Sequence, residues 1–241
     1  MNPRTALTTS ALLAGCSFAT LAPAPAWCED IGEVLQRSQQ VQAQAAERDA
    51  VPDSPAAQAL RTNFALLSAR ATPIAAPDAA VLSLVHGGPV AETLMGRTIV
   101  MNVSAGDLPA LCQQFLIAHE LGHIEHMHWS QRIELYRRFI PGEVVQFQTD
   151  AVAPELRREA AVQSYEQEFE ADAYAMRTLL AMGYSRDDLI AAFFQLGAYD
   201  ATMTHPSSAD RLGRLRRLDE GTPEASAAGA AGEIAAPAAP R

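Results

Sequence analysis

His119 and His123 stand four residues apart at the end of a mostly apolar run, Leu108 to Leu121, the second histidine just beyond it. Any fold for this chain must bury that run while keeping both imidazoles together. On an α-helix, residues i and i+4 lie one above the other on a single face, so His119 and His123 can reach one metal ion. Glu120 then sits about 100° round the helix, able to touch a water molecule beside that ion without taking a ligand position. A bound zinc lowers the pKa of water to roughly 7, and a neighbouring carboxylate can take the proton. The pair shares a stripe with Cys112 and Leu116, beside Leu108, Leu111, Phe115, Ala118 and Gly122. The helix predicted here is therefore at least half buried, with Asp107 as its N-cap and Pro109 in its first turn.

A catalytic zinc site needs a third protein ligand. Cys16, Cys28 and Cys112 form no C-x-x-C pair, so the ligands must be histidines and carboxylates. His126 and His128 point away from the His119/His123 face unless the helix breaks, and they read as surface polar residues. In the run Tyr165 to Asp172, Glu168 and Asp172 share a face that Ala175 and Leu179 continue. A half-buried carboxylate needs a partner. A metal ion for Glu168 and a ligand N–H for Asp172 supply both, while Glu166 and Glu170 read as solvated.

The chain of 241 residues is long enough to bury a core without disulfides, although spacing alone leaves a Cys28–Cys112 pairing open. A formal net charge of -10 argues against nucleic acid as a partner. Residues 1–28 read as an export signal, with Arg4 before a small-residue and Leu-rich stretch and Ala24-Pro25-Ala26 as a cleavage pattern. Leu13-Ala14-Gly15-Cys16 offers the alternative of lipid attachment at Cys16. No later stretch is apolar enough to span a bilayer, so the mature chain is expected in the bacterial periplasm, soluble or lipid-anchored. Residues 29–79 are expected to form two helices, the second capped by Asp53 or Ser54 and buried through Leu60, Phe64 and Leu67. Residues 80–220 form the main domain, with Ala80 to Val85 and Thr98 to Ser104 as its short strands. Helix breaks are expected at Pro141-Gly142, between Asp150 and Pro154, at Gly183, and from Asp200 to Pro206. Residues 221–241 are Ala, Gly and Pro, expected to be disordered.

His119-Glu120-Leu121-Gly122-His123, His128, Glu168-Phe169-Glu170-Ala171-Asp172 and Thr204-His205-Pro206 with Arg211 together resemble metallopeptidase family 48, the HtpX and CAAX-prenyl-endopeptidase group of gluzincins. The resemblance covers roughly Thr98 to Leu218. It implies a mainly helical α+β domain with a small β-sheet beside the H-E-x-x-H helix, the Thr98 run serving as the edge strand that pairs with substrate. It implies one zinc per chain on His119, His123 and Glu168, with Asp172 and Arg211 behind them and Glu120 as the base. His205 is implied beside the metal, as a donor to the reaction intermediate or as a resting-state ligand. The implied activity is endopeptidase cleavage of polypeptides in envelope protein quality control. The alternative is a zinc-stabilised chaperone or binding protein of the same fold. Oligomeric state is left open.

Overall fold

A computed structural model describes residues 29–48, 51–70 and 80–218. The expectations for residues 1–28 and 221–241, Cys28 included, lie outside them. Helix α1 (Ile31–Arg48) is followed by α2 (Pro55–Ser68), where the Ser54 hydroxyl accepts the Ala57 N–H at 3.1 Å and Pro55 occupies the first turn. Ser54, rather than Asp53, is the cap. Leu60 and Leu67 of α2 are fully buried, in the same core as the helices that follow.

Three short strands come next: β1 (Val81–Val85), β2 (Ala91–Leu94) and β3 (Thr98–Asn102). Their order is β1-β3-β2, with β1 parallel and β2 antiparallel to β3. The Thr98 run is therefore the central strand, not the edge. The strand at the edge beside the site is β2, which the sequence reading left as a connection. Three residues, Met95 to Arg97, join β2 to β3, with Met95 and Gly96 at positive φ and the Arg97 N–H donating to the Leu94 carbonyl. Two adjacent positive φ values are what a tight hairpin requires, and the local twist tolerates Met95 in one of them.

A short 3-10 turn (Val103–Asp107) leads to α3 (Ala110–Glu125). The helix begins at Ala110, three residues after Asp107, with Pro109 as its N-cap and without a side-chain cap. Gln113 does the anchoring, donating to the carbonyls of Gly106 and Leu108 and accepting from Asn63 of α2. Helix α3 is buried on nearly every face between α2, the sheet, α5 and α6, which is why its sequence is apolar around most of its circumference.

Helix α3 ends at Glu125, and α4 (His128–Phe139) begins three residues later. Between them Met127 adopts a left-handed conformation, φ 53° and ψ 36°. Helix α5 (Gln146–Ala181) then runs unbroken for 36 residues through Pro154, contrary to the break expected there. The Asp150 carbonyl that Pro154 cannot bond is on an exposed turn, open to solvent. Gly183, at φ 94°, ends the helix region as expected. Ser185 caps α6 (Arg186–Gln195) through the Asp188 N–H, and α7 (Ser208–Arg217) closes the fold. No helix of the described residues is long and apolar enough to cross a membrane.

Candidate metal centre and cleft

The site is made where α3 lies against α5. At Gly122 an added Cβ would sit 2.9 Å from the Ala171 Cα, so only glycine permits this approach. Glu168, one turn before Ala171, thereby faces the two histidines. His119 Nε2 and His123 Nε2 are 3.1 Å apart. Glu168 Oε2 lies 3.5 Å from the first and Oε1 lies 3.4 Å from the second. One ligand atom from each residue falls within 4.8 Å of the others.

The surroundings fix which atoms are left for a metal. His119 Nδ1 donates to Asp172 Oδ1 at 3.0 Å, leaving Nε2 as its free ligand atom. His123 Nδ1 meets His128 Nδ1 at 2.8 Å, and His128 Nε2 lies 2.9 Å from Glu170 Oε2. A carboxylate only accepts, so His128 carries its proton on Nε2 and its Nδ1 accepts from His123. Nε2 of His123 is thus also left with a lone pair. Glu168 Oε2 is buried and has no hydrogen-bond partner. Once His119 has given up its Nε2 proton, two imidazole lone pairs and this carboxylate oxygen converge on one point, with Arg211 Nη1 3.4 Å from Oε2. A divalent cation suits this set, and two histidines with one glutamate are a catalytic zinc set.

Charge is managed tightly. Burial disfavours ionisation of Glu168, yet the close approach of His119 and His123 prevails and holds its carboxyl well below the usual range. Burial likewise opposes protonation of His119, but bonds to Asp172 and Glu168 raise its pKa to about 10. Metal binding must displace that proton. Asp172, buried in full, is kept ionised by Arg211, which donates through Nε at 2.7 Å and Nη2 at 2.5 Å. Arg211 Nη1 also lies 3.4 Å from Glu168 Oε2 and bonds the Tyr199 hydroxyl. Arg211 therefore braces Asp172 and Glu168 directly, behind the ligands as the resemblance implied.

His128 corrects the sequence reading. It is 2% exposed and braces His123, because the left-handed Met127 folds the chain back. Glu170, read as solvated, holds His128 in turn. The only warning in the sequence was the condition that a helix break would bring these histidines back, and nothing at Met127 marks one. His126 is half-buried, with Nε2 lacking a hydrogen-bond partner and its ring stacked on His128.

Glu120 is buried beside the ligands. Thr93 of β2 donates its hydroxyl to Glu120 Oε2 at 2.7 Å, with the Glu120 carbonyl 3.2 Å away. Thr93 went unnoticed in sequence because β2 did. A cleft of about 470 Å³ opens in front, lined by His119, Glu120, Glu168, Tyr199, His205 and Arg211, with Leu108, Phe115, Leu116, Phe193 and Leu196 as its apolar wall. His205 is half-exposed on the loop before α7, with Nε2 3.7 Å from Glu168 Oε1 and Nδ1 bonded to the Thr204 hydroxyl. Tyr165 ties this loop down by donating to the Thr202 carbonyl at 2.6 Å. A larger groove of about 980 Å³ between α4 and α5 lies away from these residues. Its arginines are already paired, Arg137 with Asp30, Arg138 with Glu159 and Arg158 with Glu155, so size does not mark the site.

Residues 110–219 match the family model described as Peptidase family M48. The match begins at the first turn of α3 and runs to the end of α7, so it includes every ligand candidate and His205 but not β2. No curated protein and no solved structure matches the chain.

Proposed function

Since residues 110–219 belong to peptidase family M48, we propose that this protein is a zinc-dependent endopeptidase that hydrolyses polypeptides. One observation carries the reading. His119, His123 and Glu168 direct free ligand atoms at a common point beside a buried, oriented carboxylate, at the floor of an open cleft. Zinc bound by these three residues supplies the Lewis acidity that brings the pKa of water near 7 and polarises a peptide carbonyl.

The chain's own groups divide the remaining work. Thr93 occupies Oε2 of Glu120, so Oε1 is the oxygen left to accept a proton from the attacking water. As the new C–O bond forms and the C–N bond breaks, Glu120 returns that proton to the departing amine. Asp172 and His128 hold the two imidazoles by Nδ1, fixing the direction of both Nε2 atoms. His205 stands at the cleft wall opposite, as a donor to negative charge on the carbonyl oxygen. Tyr199, whose hydroxyl burial keeps protonated, lines the same wall. A zinc-stabilised chaperone would have no use for a buried carboxylate oriented by a threonine.

The export signal read in residues 1–28 supports a periplasmic setting, soluble or anchored at Cys16, with misfolded or misassembled envelope proteins as substrates. That part rests on the sequence and the family resemblance. The reaction is tested by zinc content and casein cleavage in wild type and Glu120→Gln. The variant should keep one zinc per chain and lose on the order of 10² to 10⁴ in rate. Undiminished cleavage by Glu120→Gln would overturn the mechanism.

A further inference from the structure

Glu92 is a cleft residue that the hydrolytic scheme does not use. It lies on β2, paired in register with Val100, one residue before the Thr93 that orients Glu120. It lines the same cleft as His119, Glu120 and Glu168. It is half-buried and has no hydrogen-bond or ion-pair partner among the described residues. The other carboxylates of the site are all engaged: Glu120 by Thr93, Glu168 by the histidines and Arg211, Asp172 by Arg211. Arg211, the cation on the cleft wall, is already committed to Asp172. A half-buried charge without a partner is costly, and strand β2 carries it at the mouth of a substrate cleft.

From this juxtaposition the geometry points to Glu92 as a specificity residue that receives a cationic nitrogen group of the bound peptide. This rests on the reading of the cleft as a peptide site and adds the substrate class. The group is an ammonium or a guanidinium, from a Lys or Arg side chain or from a free N-terminus. The β2 edge favours an extended peptide, whose backbone adds to the strand while its side chains alternate between Glu92 and the apolar wall. That wall, formed by Leu108, Phe115, Leu116, Phe193 and Leu196, takes a large apolar residue next to the cationic one. Burial, followed by the charge of Glu120, pushes the Glu92 carboxyl up. A cation in the cleft relieves both effects. The preferred substrates are therefore segments that join a basic residue to large apolar ones.

The test uses three acetylated, amidated peptides of one apolar sequence carrying Lys, Arg or norleucine at one position, and the norleucine peptide with a free N-terminus. Binding to the metal-free protein by fluorescence anisotropy is read beside kcat/KM for the zinc-loaded protein. The Lys and Arg peptides should bind and be cleaved on the order of fivefold better than the norleucine peptide, the scale of one partly exposed ion pair. In Glu92→Gln this ratio should fall to about one, with the norleucine peptide cleaved within about twofold of wild type. Glu134→Gln, a charge change in the distant α4/α5 groove, should keep the full ratio and so separate a local contact from net charge. An advantage confined to the free N-terminus would assign Glu92 to α-ammonium recognition. Equal binding of charged and neutral peptides by wild type, or an unchanged ratio in Glu92→Gln, overturns the inference even where cleavage is robust. Charge-selective binding without any cleavage would leave it standing and contradict the proposed reaction instead.

Discussion

Behind His119 lies a closed, buried ion network, and behind His123 lies a histidine chain that ends in a carboxylate at the surface. The first runs from His119 Nδ1 to Asp172 and on to two nitrogens of Arg211, all of it buried. The second runs from His123 Nδ1 to His128 and on to Glu170, whose side chain is 42% exposed. Both supports do the same job, leaving Nε2 free and aimed. They differ in what replaces a lost member. Water can reach the end of the His128 chain, whereas no water reaches a carboxylate or guanidinium stranded in the interior. The two sides should therefore fail differently: one in folding, the other in metal affinity.

Arg211→Met should produce the largest effect. It removes both guanidinium bonds to Asp172 and leaves His119 to hold that carboxylate alone, and breaking a buried pair in this way costs about 3–5 kcal/mol. Denaturant unfolding of the metal-free protein measures it. A loss below about 1 kcal/mol would show that the network is not closed as described.

His128→Ala should leave the fold largely intact and weaken zinc binding about 10- to 100-fold, read by competition with a chelator. His128→Gln, which keeps one donor and one acceptor, should recover part of it. If His128→Ala unfolds the protein as severely as Arg211→Met, the distinction between the two supports fails.

The smallest effect sharpens the comparison by its sign. His119 has a folded pKa raised to about 10 in the metal-free protein. Its stabilisation is complete below its ordinary value near 6.5 and is lost as pH rises through about 10. His128 has its pKa lowered, burial outweighing Glu170. Its contribution is present above about 6.5 and is lost as pH falls through its folded value. Glu168 and Asp172, both lowered, lose theirs only in stronger acid, below about pH 4. Thermal unfolding of the metal-free protein should therefore weaken at both ends, with the mildly acidic loss missing in His128→Gln. An acid limb unchanged in that variant would remove His128 from the account.

The difference between the two supports also explains what could be read from the sequence. His119, His123, Glu168 and Asp172 lie inside uninterrupted helices, where fixed spacing fixes relative direction, so the His119 side was visible as pattern. Arg211 was tied to the site only through resemblance, and its Asp172 contact depends on how α7 packs against α5. The His123 side depends on Met127, a non-glycine residue in a left-handed conformation that no turn signal announces. Thr93 and Glu92 were hidden for another reason. Ala91-Glu92-Thr93-Leu94 is too short and too weakly β-prone to stand out, and its strand exists because β3 pairs with it. Pro154 misled in the opposite direction, because an exposed turn of a long packed helix absorbs a missing bond that isolated propensity counts as a break.

The central claim is that two Nε2 atoms and one glutamate oxygen share a metal ion. Zinc K-edge X-ray absorption of the purified protein tests it most directly. The account predicts one zinc per chain with imidazole nitrogens at about 2.0–2.1 Å and carboxylate oxygen at about 2.0–2.2 Å, the imidazole signal reduced and the metal largely lost in His123→Ala. A sulfur shell at about 2.3 Å, or a spectrum unchanged in His123→Ala, would contradict it.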